Sequence, residues 1–287
     1  MSRVRRWLPL ILLLAVARSS FADELGEAVA LAAPAQRIVS LAPHITEILY
    51  AVGAGGQLLG ADEYSDYPLS ARQLPRVSNY AGANYEQIVA LQPDLVVGWL
   101  SGNGEKTVAP LRELGIPVVM VEARQLEDIP ATVEQLAALS GHFTQGEKLA
   151  AELRGRLSAL EQRYRGAAPV RFFYQIWDQP LITYNGDHLI SSALARCGGE
   201  NVFAQALPLV PYVSVEAVLM ADPQVMLSAG SAPEDNASLA MWLQWPTLAA
   251  VAHGHRYGIP ADLTARHGPR FIDGVEQLCA LLDRARQ

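Results

Sequence analysis

The sequence lacks most of the features that mark an enzyme or a membrane-embedded protein. It has two cysteines, Cys197 and Cys279, in 287 residues, and the apolar run Leu8–Ala17 is far below the roughly 20 residues that a transmembrane helix needs. The Gly-x-Ser-x-Gly, P-loop, Cys-x-x-Cys and His-Glu-x-x-His signatures are absent. We therefore expect no catalytic residues and no metal site built by the protein itself.

Positive charge is also scarce. Lys and Arg number 22 against 29 Asp and Glu, and the chain has a formal net charge of −7. Residues 1–22 contain four Arg and no acidic residue, so a chain without them would carry about −11. An acidic surface disfavours nucleic acid and anionic lipid but suits basic patches on a protein partner. With 51% hydrophobic and 18% charged residues, the chain is rich enough to bury a core.

The N-terminus reads as a secretory signal peptide. Arg3, Arg5 and Arg6 precede the short apolar run, and Ser20-Phe21-Ala22 fits a small-x-small cleavage site. We expect cleavage before Asp23 and an exported mature protein, with an uncleaved membrane anchor as the alternative. In an exported protein, two cysteines usually form a disulfide, although two free buried thiols remain possible.

The rest of the chain alternates short apolar strands with helices, which indicates parallel sheets covered on both faces. Leu149, Leu153, Leu157, Leu160 and Tyr164 form one apolar stripe along a long helix that interrupts this alternation. We predict an α/β fold of two Rossmann-like lobes joined by one long, rigid helix. The boundaries are a signal peptide (1–22), an N-terminal lobe (23–144), a linking helix (145–168) and a C-terminal lobe (169–287).

A short segment occurs twice. Glu86 opens an apolar helical run that Pro93 ends before a strand, and Glu216 opens an equivalent run that Pro223 ends. The spacing from Glu to Pro is seven residues in both copies. The repeat predicts two similar lobes, each with a carboxylate at an equivalent place, as docking onto a symmetric partner would require. The alternative is that each glutamate only stabilises the positive end of its helix.

Loop aromatics are unusually frequent near predicted strand ends. Each one is individually as well explained by packing, but aromatics from both lobes could line a cleft and stack on a large flat ligand. The residues concerned are Tyr64, Tyr67, Tyr80, Trp99, Trp177, Tyr184 and Tyr212.

Several motifs together resemble a known family, the periplasmic binding proteins for vitamin B12, haem and ferric siderophores, which feed ATP-driven importers. The resemblance runs from about Arg37 to the C-terminus and is greatest to the vitamin B12-binding branch. The motifs that carry it are Ile38-Val-Ser-Leu-Ala-Pro43, Tyr64-Ser-Asp-Tyr-Pro68, Asn84-x-Glu86 with Pro93-Asp94, Trp99 with Gly102-Asn103, Cys197-Gly-Gly-Glu200, Val213-Ser214-x-Glu216 and Gln277-Leu-Cys279.

The resemblance implies a class III binding protein that is monomeric, has little hinge motion and contains a Cys197–Cys279 disulfide. It implies that Glu86 and Glu216 pair with arginines of a dimeric permease. The residues that it implies for corrinoid contact are Tyr64, Tyr80, Trp99, Tyr212, Asp262, Leu263, Thr264, Ala265 and Arg266. Cobalt would arrive within the ligand, so no separate cofactor is expected.

Leu263 and Thr264 stand where vitamin B12 binders have aromatics, and Tyr80 and Tyr212 replace tryptophans. Because of these departures, the bound ligand could be a precursor such as cobinamide rather than intact cobalamin. A haem or ferric-siderophore carrier is the alternative, with His44 or Tyr64 as the axial ligand of a haem. A third reading is a secreted hydrolase or another enzyme on an α/β fold, which would require a nucleophile motif that the sequence lacks.

Overall fold

The computed structural model describes residues 19–22 and 28–287 of the chain. Strand β1 (Ser19–Ala22) pairs antiparallel with β2 (Ala28–Leu31), on either side of the predicted cleavage point. The remainder of the predicted signal peptide, residues 1–18, lies outside the described residues. Removal of residues 1–22 would leave β2 without this partner.

The N-terminal lobe is built on a six-stranded sheet in the order β6-β5-β4-β3-β7-β8, in which only the β5–β6 pair is antiparallel. Its elements are β3 (Ile38–Ser40), α1 (Pro43–Ala51), β4 (Leu58–Asp62), β5 (Arg76–Asn79), β6 (Gly82–Ala83), α2 (Tyr85–Ala90), β7 (Leu95–Trp99), α3 (Leu100–Glu113), β8 (Val118–Val121) and α4 (Asp128–Ser140). The four side chains of β8 are all buried, which explains its uninterrupted apolar sequence.

Helix α5 (Phe143–Arg163) follows and connects the two lobes. The C-terminal lobe contains a four-stranded parallel sheet in the order β12-β9-β13-β14. Its elements are β9 (Val170–Gln175), β10 (Trp177–Asp178), β11 (Leu181–Ile182), α6 (Leu189–Ala195), β12 (Gly199–Asn201), α7 (Val215–Ala221), β13 (Val225–Gly230), α8 (Ala249–Ala252), β14 (Arg256–Pro260), α9 (Ala261–Thr264) and α10 (Pro269–Arg284).

The two sheets share one connectivity. In each, the first parallel strand (β3 or β9) is central, and the chain later crosses to its other side through β7 or β13. Such a crossing is the switch point at which open α/β sheets bind ligands, beyond the carboxyl ends of the strands. The predicted fold class of two lobes with parallel sheets is confirmed.

The predicted apolar stripe of α5 is buried, with Leu153 and Leu157 at 1% and 4% exposure. These side chains belong to a hydrophobic cluster that includes Val97 of the first sheet and Phe172 of the second, so the lobes share a continuous core. A shared core of this kind opposes independent motion of the lobes.

Ion pairs attach α5 to both lobes. Arg154 pairs with Glu134 of α4, and Arg156 donates to Asp273 at 2.6 Å and to Glu276 at 2.8 Å, both on α10. The helix is therefore held on two sides by ion pairs as well as by its apolar face.

Within the described residues, no helix combines the length and the apolarity needed to cross a bilayer.

The predicted disulfide is confirmed. Cys197 follows α6 and Cys279 lies in α10, with 5.6 Å between their Cα atoms and a bond between their sulfurs. The bond ties α10 to the end of α6, which packs in the same hydrophobic cluster, and the alternative of two free thiols is wrong.

Three local features differ from the sequence-based expectation. Pro43 begins α1 rather than only ending the preceding strand, because a proline lacks the N–H that the first helical turn leaves unpaired. Helix α3 begins at Leu100, eight residues before the predicted start at Val108, and is interrupted at Gly104, whose φ is 69°. The predicted helix at Leu239–Leu243 is a 3₁₀ helix over Ala237–Gln244.

Candidate functional site: an interlobe cleft and two exposed glutamates

A cavity of about 350 Å³ opens between the two lobes, close to the switch point of the N-terminal sheet. Its N-terminal wall includes Trp99 at the end of β7, together with Ser101 and Glu122, and its C-terminal wall includes His188 and His267. Both lobes therefore supply side chains to one cleft. A cavity of this size falls within the range of small-molecule sites and opens to solvent, where a larger ligand can extend.

Aromatic and imidazole rings form a continuous series across the cleft. His44 contacts Trp99 edge-on at 5.3 Å between ring centroids, and Trp99 lies 6.0 Å from His267. His267 lies 6.3 Å from His188, whose ring stacks on Tyr184 at 3.7 Å. The floor of the cleft is therefore a layer of flat rings from both lobes, in which Trp99, His188 and His267 line the cavity and His44 and Tyr184 pack against them. Such a layer suits a flat conjugated ligand.

Glu122 orients the indole of Trp99. Its carboxylate is 8% exposed and accepts hydrogen bonds from Trp99 Nε1 at 3.0 Å and from the backbone N–H of Ser101 at 2.8 Å. The Ser101 hydroxyl donates to the same carboxylate. Three donors to one buried carboxylate fix the position of the ring that begins the cleft wall.

The histidines at the floor are neutral at physiological pH. Burial, with smaller contributions from His267 and Arg266, lowers the pKa of His44 to about 3. Burial and the neighbouring His267 lower the pKa of His188 to about 3 as well. Burial also lowers the pKa of His267, against an opposing effect of the Glu122 charge. The floor therefore presents uncharged imidazoles.

The two histidines that line the cavity differ in their hydrogen bonds. Nδ1 of His188 accepts a bond from the backbone N–H of Ile190 at 3.2 Å, so its proton resides on Nε2. Nδ1 of His267 is buried and has no hydrogen-bond partner among the described residues. No group of three or more His, Cys, Asp or Glu in the described part of the chain is arranged to hold a metal ion.

Next to the floor, an interlobe ion-pair network joins α1 to the first turn of α10 and to the segment just before it. Glu47, 4% exposed, accepts from Arg270 Nε at 2.8 Å and from Arg266 at 3.0 Å. Arg266 also pairs with Asp66 at 2.7 Å, and the Arg270 guanidinium lies 3.9 Å from the Tyr67 ring centroid. The network holds the lobes together beside the cleft, and its buried carboxylate depends on these arginines.

The predicted ligand-contact residues fall into two groups. Trp99 lines the cavity, whereas Tyr64, Tyr80 and Tyr212 lie in loops with side chains that are 52%, 90% and 70% exposed. Tyr64 follows β4, and its carbonyl accepts a hydrogen bond from Arg266. Among these four side chains as the structure describes them, Trp99 is the one held by a hydrogen bond, from its Nε1 to Glu122.

The predicted contact segment 262–266 follows the carboxyl end of β14. Asp262 pairs with Arg266 at 3.0 Å, and Ala265 is exposed. Leu263 is half-buried, while Thr264 is 3% exposed and lies 3.3 Å from the buried Tyr174 hydroxyl. In this conformation Arg266 serves the ion-pair network and Thr264 faces the core.

Glu86 and Glu216 occupy equivalent places. Each lies in the first turn of its helix, α2 or α7, and each side chain is exposed. Asn84 caps α2 by accepting from the Gln87 N–H at 3.1 Å, and Ser214 caps α7 by an equivalent bond at 3.2 Å. The backbone N–H of Glu216 and the Ser214 hydroxyl lower the pKa of Glu216, so it is a carboxylate at neutral pH.

The repeat extends to the ends of these helices, beyond what the sequence pattern indicates. Gln92 and Asp222 follow α2 and α7 with φ of 48° and 43°, a conformation that is rare outside glycine. An arginine donates to the carbonyl of each: Arg37 Nε to Gln92 at 2.9 Å, and Arg171 Nη2 to Asp222 at 2.9 Å. Both helices therefore end against an arginine from the first strand region of their own lobe.

The backbone N–H groups of the same two arginines, Arg37 and Arg171, also make equivalent hydrogen bonds. The N–H of Arg37 donates to the Asp94 carboxylate at 2.9 Å, and the N–H of Arg171 donates to the Gln224 side chain at 3.0 Å. Sequence reasoning missed these arginines, because the signal is only one basic residue at the start of each lobe. It also missed His188 and His267, which have no pattern in common and meet only through the packing of the lobes.

Comparisons with known proteins identify the family. The family described as periplasmic binding protein matches residues 38–263. The chain belongs to the periplasmic binding protein family. A vitamin B12-binding protein of Vibrio parahaemolyticus is 40% identical over 247 residues, which cover 86% of this chain and 89% of that protein. A vitamin B12-binding protein of Pectobacterium atrosepticum is 36% identical over 252 residues, 86% of this chain and 88% of that protein.

Solved structures agree with this family membership. The crystal structure of the periplasmic vitamin B12 binding protein of Vibrio cholerae is 39% identical, covers 88% of this chain and 99% of its own, and superposes with a TM-score of 0.81. A periplasmic haem-binding protein from Roseiflexus shares the fold, with a TM-score of 0.78 at 24% identity over 88% of this chain and 99% of its own. These relatives are named for what they bind rather than for a reaction.

Proposed function

We propose that this protein captures cobalamin or a related corrinoid in the interlobe cleft and delivers it to an ABC transporter of the inner membrane. The observation that carries the proposal is the ring-lined cleft shared by both lobes, in a chain about 40% identical to a vitamin B12-binding protein. A corrin ring offers a broad flat surface for Trp99, and the exposed Tyr64 and Tyr212 can close over its edges. The cobalt is part of the cargo and needs no site of its own.

Delivery requires a surface that the transporter recognises. Glu86 and Glu216 would pair with basic residues on the two halves of a permease dimer, because both are exposed carboxylates on equivalent capped helices. Exposed pairs of this kind contribute orientation and association rate more than affinity. The protein would act as a monomer, exported to the periplasm with residues 1–22 removed.

Calorimetric titration of the mature protein with cyanocobalamin tests the ligand. We expect a dissociation constant below about 1 µM, which corresponds to roughly −8 kcal/mol. Trp99→Ala should weaken binding at least tenfold, since it removes the fixed ring of the cleft wall, whereas Phe143→Ala, an exposed ring at the start of α5, serves as the matched control. Absence of binding by the wild-type protein would reject the proposal.

Haem is the second candidate, because neutral histidines line the cleft and haem-binding proteins share the fold. Of the two axial ligands that the sequence suggested, His44 is 5% exposed and packed edge-on against Trp99, and Tyr64 is 52% exposed. A parallel titration with haem separates the candidates, and tight haem binding without corrinoid binding would establish this reading instead.

A further inference from the structure

His267 stands out among the groups that line the cleft because its ring has no hydrogen bond to hold it. In the described part of the chain, its Nδ1 is buried without a partner, and no hydrogen bond of its Nε2 is found. Buried polar atoms are normally paired, so an unpaired one in a ligand cavity calls for an explanation. Because Nδ1 is enclosed, Nε2 is the nitrogen left to reach a guest in the cavity.

The surroundings of His267 keep this nitrogen available as a lone-pair donor. Its ring is enclosed by other rings, with Phe271 at 5.3 Å, Trp99 at 6.0 Å and His188 at 6.3 Å between centroids. Burial lowers the pKa of His267, so the imidazole is neutral at physiological pH. A neutral imidazole in a ring-lined cavity is a good ligand for a transition-metal ion.

The relative orientation of the rings suits a metal macrocycle. The planes of Trp99 and His267 make an angle of 78°. A macrocycle stacked parallel to the Trp99 indole would therefore lie nearly perpendicular to the imidazole plane, the relative orientation that a tetrapyrrole and an axial imidazole adopt. Trp99 and His267 would then contact the same face of the ligand, one by stacking and the other by coordination.

We propose that Nε2 of His267 binds the cobalt of the captured corrinoid as an axial ligand. The inference rests on the proposed corrinoid function and deepens it. A Co–N bond forms as one water leaves the Co(III) centre, and the cobalt keeps its oxidation state and no proton is transferred. The protein would therefore prefer corrinoids with an exchangeable axial water, such as diaquacobinamide, over those with both axial positions blocked.

Absorption spectroscopy of the intact mature protein tests the bond. Addition of wild-type protein to diaquacobinamide should shift the visible bands of the corrinoid, because imidazole replaces water on the metal. His267→Gln should abolish the shift and raise the dissociation constant for diaquacobinamide at least tenfold relative to that for cyanocobalamin. His253→Gln, at an exposed histidine remote from the cleft, should keep the shift. A shift that persists in His267→Gln would overturn the assignment.

A second measurement needs no variant and covers the case in which His267→Gln fails to fold. Dicyanocobinamide, with both axial positions held by cyanide, should bind wild-type protein at least tenfold more weakly than diaquacobinamide and show no spectral shift. Equal affinities with an unshifted diaquacobinamide spectrum would refute the axial bond while leaving corrinoid capture intact. If no corrinoid bound at all, the proposed function itself would fail.

Discussion

The two lobes are alike on one surface and unlike on another. Each has a central first strand, a capped helix with an exposed glutamate in its first turn, and an arginine at the end of that helix. Their cleft walls differ, since the N-terminal lobe provides an indole held by Glu122 and the C-terminal lobe provides His188 and His267. The likeness fits a partner with two equivalent halves, and the difference fits an asymmetric ligand between them.

The largest effect is expected at the two equivalent glutamates. Glu86→Arg and Glu216→Arg should each reduce corrinoid uptake at least tenfold, because each reversal places like charges against the permease. Ligand affinity, measured by calorimetry, should not change. Glu152→Arg, an exposed residue on α5, is the matched control. Loss of corrinoid binding in either reversal would show that the surface and the cleft are not separate.

The disulfide is a feature of the C-terminal lobe alone. The 82-residue separation of Cys197 and Cys279 predicts a loss of up to about 4.5 kcal/mol of unfolding free energy in the Cys197→Ser/Cys279→Ser double variant. Urea unfolding with and without reductant measures it. Wild-type stability in the double variant would mean that the lobe does not depend on this bond.

The loss of unfolding free energy at acid pH should come mainly from the buried histidines His44 and His188 at the cleft floor. The pKa values of His44 and His188 are about 3 in the folded protein against 6.5 for an ordinary histidine. Between these values the unfolded chain binds more protons, so stability falls as pH decreases through this window. We expect each histidine to contribute a loss of about 1 kcal/mol between pH 7.5 and pH 5.5.

Urea unfolding at the two pH values checks this expectation. His44→Leu should reduce the dependence on pH, and His253→Gln, at an exposed histidine, should leave it as in the wild type. An unchanged dependence in His44→Leu would place the acid sensitivity elsewhere.

The smallest effect tests the structural equivalence of the lobes. Arg37→Met and Arg171→Met should each cost about 1 kcal/mol, because Arg37 loses its charge-assisted bonds to the carbonyls of Gln92 and Leu91 and Arg171 loses its bond to the carbonyl of Asp222, all at exposed helix ends. Similar losses in the two variants would support the equivalence. Arg165→Met is the control, since that side chain has no hydrogen bond or ion pair within the described residues. A loss in only one lobe would break the comparison.

The sequence predicts the parts of this fold that have a local pattern. The strand at Val118–Val121 matches its predicted bounds, and α4 and α5 begin within two residues of the predicted positions. The strand at Gly199–Asn201 escaped prediction, because three residues that start with glycine show no strand periodicity.

The cleft floor could not be predicted in the same way. His44 and His267 are more than 200 residues apart, and their rings come within 6.4 Å only because one lobe packs on the other. For a similar reason the sequence did not predict the interlobe ion-pair network of Arg266, a residue that the family resemblance assigns to ligand contact. Motif resemblance locates a segment near a cleft but does not determine which of its side chains the neighbouring lobe engages.

A crystal structure of the mature protein with cyanocobalamin tests the central claim most directly. The account predicts a corrin ring between the lobes, stacked on Trp99 and in contact with side chains of both, while Glu86 and Glu216 remain exposed. A corrinoid bound outside the cleft, or covering either glutamate, would contradict it.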